Sequence, residues 1–187
     1  MSVIAAVPNV GSQIERAIVA YFKDAYGAAF ITAQSLNFYT SNDWQVRNDP
    51  CISVLASHSD ETPTYSMDKD YFVTVEAVWK GNNEIGQVNL ESNRVSIDNL
   101  IGVAEAAMSQ KYNDTDQNRK ATCDNINTFG RALASGADAA NNADMANFTC
   151  LKVMSMGDRR AEKNAAGGVN LREVRTFKVS ACPSNVD

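Results

Sequence analysis

Few residues in this chain have types and spacing that could do chemistry. His58 is the only histidine, so any imidazole base, or any triad built on one, has to use it. It closes the stretch CISVLASH and is followed by Ser59, Asp60 and Glu61, with Asp68 and Asp70 a few residues on. A base beside carboxylates, or a hard-cation site, is the chemistry these types would allow. Neither is expected. A cation needs converging oxygens, and adjacent carboxylates on an extended segment point apart. The histidine reads as a solvated loop residue and the carboxylates as a solvated turn.

The four cysteines, Cys51, Cys123, Cys150 and Cys182, form no CxxC pair. Zinc sites need ligands of closer spacing, so these read as small buried hydrophobes. No G-x-S-x-G, P-loop or G-x-G-x-x-G occurs, which removes the common nucleophile and phosphate-cradle signatures. The expectation is no catalytic residue, no bound metal and no cofactor.

One stretch stands out by charge. GDRRAEKNAAGG, residues 157–168, carries Arg159, Arg160 and Lys163 in a chain of net charge −5. It has no aromatic side chain to stack on bases, so it is a poor nucleic-acid platform. It is longer than a hairpin needs, and no large apolar side chain anchors it. It is therefore expected to project as a long tip and to meet a neighbouring subunit or another protein. The acidic balance argues against a general nucleic-acid binder, though not against a channel through which DNA passes.

The elements that would position these residues follow from periodicity. VGSQIERAIVAYFKDAYG puts Ile14, Ala17, Ile18, Tyr21, Phe22 and Ala25 on one helical stripe,. Ser12 and Glu15 have capping-box spacing, and Gly27 stops the helix. A loop is expected next, with a short strand near 36–39. Pro50 then opens a strand in which Ile52, Val54 and Ala56 alternate with Cys51, Ser53 and Leu55,. DKDYFVTVEAVWKG is a second strand, an antiparallel neighbour of the first. Its Tyr71, Val73, Val75, Ala77 and Trp79 form one face. Its other face mixes Phe72 and Val78 with Thr74, Glu76 and Lys80, a composition suited to an interface.

A second helix is expected from Ser92 or Asn93, burying Ile97, Leu100, Ile101, Ala104, Ala107 and Met108,. Residues 113–147 carry a weak signal. CDNINTFGRALASG could be a short helix, while the rest reads as a loosely structured insertion. Strands at 148–156 and 171–181 close the chain. The predicted fold is one α+β domain over 1–187, with a mostly antiparallel or mixed sheet and two main helices packed on one face. No apolar run is long enough for a membrane span. The N-terminal stretch lacks a basic n-region, so no secretory signal is expected, and a reducing cytoplasm is the expected place of synthesis.

The order of these elements resembles a known family. IERAIVAYFKDAYG, NDPCISVLASHSDE, DYFVTVEAVWKG, RVSIDNLIGVAEAAM and LREVRTFKVSA together are similar to the tail terminator, or tail completion, proteins of long-tailed bacteriophages. The likeness is one of pattern and covers most of the chain without a diagnostic motif. It implies a structural virion protein of the tail or neck, assembled in the host cytoplasm and without enzymatic activity. Such a protein forms a homohexameric ring that ends the tail tube and joins it to the head. The implied partners are further copies of the chain, the tail tube protein and a head-closure or connector protein. DNA would only pass through the lumen, and no membrane is involved. Arg159, Arg160, Lys163, Phe72 and Val78 are then the expected inter-subunit or tube contacts. Another neck or head-completion component is the alternative within the same class. A generic binding domain or a small enzyme without a recognisable site is the alternative outside it.

Overall fold

The computed structural model describes residues 10–41, 48–58, 69–80, 90–156, 160–163 and 170–182. Its spine is the antiparallel pair β3 (Lys69–Lys80) and β6 (Asn170–Cys182), in register along the whole of β3. β2 (Cys51–His58) pairs antiparallel with β3, and β1 (Asn37–Tyr39) lies parallel to β2 at the edge. β4 (Thr149–Ser155) flanks β6 on the other side, and β5 (Arg160–Lys163) continues along the same side of β6. The order is β1-β2-β3-β6-β4, with β5 also on β6. The fold is α+β.

Period-two alternation decides which face the helices cover. Val73, Val75 and Ala77 of β3 stand beside Phe177, Arg175 and Glu173 of β6, and beside Ala56, Val54 and Ile52 of β2. Most of these are buried under α1 (Val10–Tyr26) and α3 (Leu90–Ala107), while α4 (Lys120–Leu133) packs beside α1 on β4. Ile14, Ile18, Phe22, Ile97, Ile101 and Met108 all lie in this core, as the helical stripes predict. Trp79, assigned to the same face, is half-buried against it.

Several local expectations are corrected. α1 already begins by Val10, so Ser12 lies inside the helix and no capping box forms there. Glu15 is instead 1% exposed. Its carboxylate accepts from Ser41 N at 3.0 Å, Ser41 Oγ at 2.6 Å and Ala56 N at 2.7 Å. Three tertiary donors outweigh the one local contact that the box offers. α3 likewise starts at Leu90, ahead of Ser92.

The expected loop after Gly27 contains α2 (Ala28–Gln34), entered through Gly27 at φ 74° and left through Ser35 at φ 50°. Gly27 does end α1, since its left-handed backbone suits glycine.

The segment 113–147 is not loose. α4 packs on α1 and β4, and the 3-10 turns Ala139–Asn141 and Ala143–Met145 lead into the buried Met145 and Phe148. Arg16 pairs with the Asp144 carboxylate and reaches Asn142 Oδ1 at 2.8 Å, while Gln13 donates to Asp144 O at 2.6 Å. The extended tip is also corrected. Residues 160–163 are paired with 171–174 as sheet, so the strand ladder runs through the middle of the expected loop.

Two substitutions test this packing. Glu15→Ala removes the acceptor from three donors, two of them backbone or hydroxyl groups of Ser41, and should cost roughly 2–4 kcal/mol in denaturant unfolding. At Gly130, an added Cβ would stand 2.9 Å from Ala17 Cβ and 3.3 Å from both Met145 Cε and Phe148 Cδ1. Gly130→Ala should therefore destabilise by about 1–3 kcal/mol through overpacking, despite the higher helix propensity of alanine. A stability equal to or above the parent's would show that α1 and α4 do not cross this closely.

Candidate interaction surface

The sheet face turned away from the three long helices contains the sequence-expected contact residues. Phe72 stands between Ser57 and Lys178, and Val78 between Cys51 and Arg172. Both are half-buried. Six residues apart on one strand, they are about 20 Å from each other. Between them lie Thr74 beside Leu55 and Thr176, then Glu76 beside Ser53 and Val174. Cys51 and Ser53 on this face are fully buried, and Cys51 lies outside the helix-covered core cluster. Along β3 the face thus has two apolar side chains separated by two polar ones, with no continuous greasy stripe.

Ion pairs fix its charge. Arg172 Nε lies 2.6 Å from Glu76 Oε1, whose side chain is 9% exposed. Lys178 Nζ lies 2.9 Å from Asp70 Oδ2, and the Ser180 hydroxyl donates to the same carboxylate. Partial desolvation acts to raise the Asp70 pKa. The Ser180 hydrogen bond, the Lys178 contact and the Lys152 charge outweigh it and hold the carboxyl below its ordinary value,.

Of the basic cluster, Arg160 and Lys163 lie in β5, at the register positions opposite Val174 and Leu171. Arg159 lies outside the described residues. His58 ends β2 opposite Tyr71, while Ser59, Asp60, Glu61 and Asp68 lie outside the described residues. Among the described residues, no three His, Cys, Asp or Glu side chains are grouped to hold a metal ion. No described helix is long and apolar enough to cross a membrane.

Two exposed apolar groups were not singled out from the sequence. Leu151 and Met154 of β4, and Met156 just after it, are 40%, 39% and 45% exposed. A bulge between Cys150 and Lys152 shifts the register there, so counting every second residue from Phe148 places Met154 and Met156 wrongly,. The second group is α2, which buries none of its seven residues and carries no charge; Phe30 stacks on Tyr26 at 6.0 Å between centroids and is itself exposed.

No protein-family model matches the chain, and no curated protein is matched by it.

The depressed Asp70 pKa predicts a pH effect of fixed sign. The favourable pairing is present when Asp70 is ionised and is lost as pH falls below the ordinary aspartate value of 3.8,. Asp70→Asn should therefore lower stability at neutral pH and flatten the acid limb of a stability–pH curve. An unchanged acid limb would remove Asp70 as a contributor.

Proposed function

We propose that this chain is a structural, self-associating virion protein of the tail terminator kind, working as a ring at the end of a phage tail tube. The observation that carries the reading is the mixed sheet face around Phe72 and Val78. It lies opposite all three long helices and joins half-buried apolar side chains to tightly paired charges. Such a mixture is the composition of a protein interface rather than of a plain solvated face.

Two further features support it. The uncharged α2 adjoins β1 at one edge of the sheet, and the exposed Leu151, Met154 and Met156 lie at the other. Contacts between unlike patches on successive copies are what a closed ring requires. The element order of the tail terminator family adds to this, and it implies six subunits, with the tube protein and a head connector as neighbours. On this reading the chain performs no catalysis, and binding follows from shape and charge at its surfaces.

Light scattering on the full chain, together with negative-stain imaging, tests the proposal. Closed rings with a central hole are expected, and Phe72→Glu combined with Val78→Glu should reduce them to smaller species. A monomer at every concentration would overturn the ring, and rings undisturbed by the double substitution would remove this face from the contact.

A further inference from the structure

The four cysteines divide between the two sides of the sheet. Cys51 on β2 stands beside Val78, and Cys182 on β6 stands opposite Thr149, both on the side away from the long helices. β3 separates their strands. Cys150 stands beside Ala181 on the helix side, and Cys123 projects from α4 into the same core; each is 2% exposed. Cys182 is thus next to Cys150 along the sheet but faces the other way.

The seam between α4 and β4 is fastened around this thiol pair. Asn127, one turn beyond Cys123, accepts from Cys150 N through Oδ1 and donates to Cys150 O through Nδ2 at 3.0 Å. On the other flank, Asn118 O accepts from Val153 N at 3.1 Å and from Cys123 Sγ at 3.6 Å. Between these two fastenings, Cys123 and Cys150 lie buried together in the core at 2% exposure each. The seam is therefore pinned on both flanks of the thiol pair.

We propose that Cys123 and Cys150 form a latent disulfide, open in a reducing compartment and closed by exchange with a small-molecule disulfide outside it, which staples α4 to β4. The Cys123 thiolate attacks one sulfur of the small disulfide, whose bond breaks and releases one thiol. The Cys150 thiol then gives its proton to solvent, and its sulfur displaces the second small thiol from Cys123. Two protein thiols are oxidised and one disulfide is reduced to two thiols.

The order of attack follows from the contact. The Cys150 hydrogen bond holds the Cys123 thiol below its ordinary value despite burial, and the same contact together with burial pushes Cys150 well up,. Both sulfurs are covered, so exchange waits on α4 lifting from the sheet and is slow in the folded protein. The closed loop takes in most of α4 and both 3-10 turns. The inference does not depend on the ring.

Refolding the full chain in a buffer of reduced and oxidised glutathione, then mapping peptides by mass spectrometry, tests it without relying on access in the folded state. The expected result is a single cross-link joining the peptides of Cys123 and Cys150, with Cys51 and Cys182 free. The oxidised protein should melt several degrees higher than the reduced one, reversibly on adding dithiothreitol. In Cys150→Ala, and separately in Cys123→Ala, no internal link should form. A link involving Cys51 or Cys182 would overturn the proposal, as would glutathione retained on Cys123 in the parent chain. Four free thiols in the parent after oxidative refolding would do the same.

Discussion

The twelve backbone pairs that join Lys69–Lys80 of β3 to residues 170–181 of β6 set the side that neighbouring strand residues take. A slip of one residue on this ladder would carry Val73, Val75 and Ala77 from the helix-covered face to the opposite one. The neighbours forbid that slip. Val54 and Ile52 on β2, and Val179 and Phe177 on β6, have to meet the same helices. The ladder also explains why three helices crowd one side. The side bearing Val73, Val75 and Phe177 is the more apolar, and only cover by other elements removes it from water. One end of that side departs from this rule. Arg175 is nearly buried beneath α3, with Glu105 at 2.9 Å and Glu173 at 3.2 Å from its guanidinium. Paired on two sides and donating to Val174 O as well, the charge is tolerated where it could not stand alone,.

The helices that were legible in the sequence are those whose stability comes from large apolar side chains. Ile14, Ile18 and Phe22, or Ile97, Ile101 and Met108, repeat at helical spacing and all are buried. α4, expected from CDNINTFGRALASG only as a possible short helix and found over Lys120–Leu133, works differently. Its buried residues are Thr122, Cys123, Ile126 and Gly130, of which only Ile126 gives a strong hydrophobic signal. Gly130 admits Ala17, Met145 and Phe148 to close range. Thr122 Oγ1 lies 3.0 Å from Ala107 O and 3.2 Å from Gln110 O. These are polar and steric attachments, and a search for apolar periodicity passes over them. The Ser12–Glu15 spacing misled for the opposite reason: a real local motif lost to donors distant in sequence.

The mixed face was legible in composition but not in extent. Phe72 and Val78 share one face of β3 with Thr74 and Glu76 between them, and that mixture survives in the fold. The fate of residues 160–163 was not readable, because RAEK has little strand propensity and is held in the sheet by the neighbouring β6 backbone,. Between β4 and β5 the register against β6 shifts by two residues, since Ser155 faces Phe177 and Arg160 faces Val174. One edge strand is thereby broken into two short pieces, a form that resists uncontrolled pairing.

The two edges of the sheet bear on the proposed ring through symmetry. A two-fold dimer needs one self-complementary patch, whereas a closed ring needs two unlike patches that meet around the circle. At one edge, β1 is only three residues long and offers little ladder for another strand. At the other, Asn127 occupies the backbone of Cys150, and Asn118 with Arg119 occupies that of Val153. Strand addition is therefore disfavoured on both sides. What each edge still presents is side chains: α2 with Phe30 on one, and Leu151, Met154 and Met156 on the other. An assembly of this chain would accordingly be joined by apolar side chains meeting head to tail, with the mixed face around Phe72 and Val78 giving it register and the blocked edges preventing fibres.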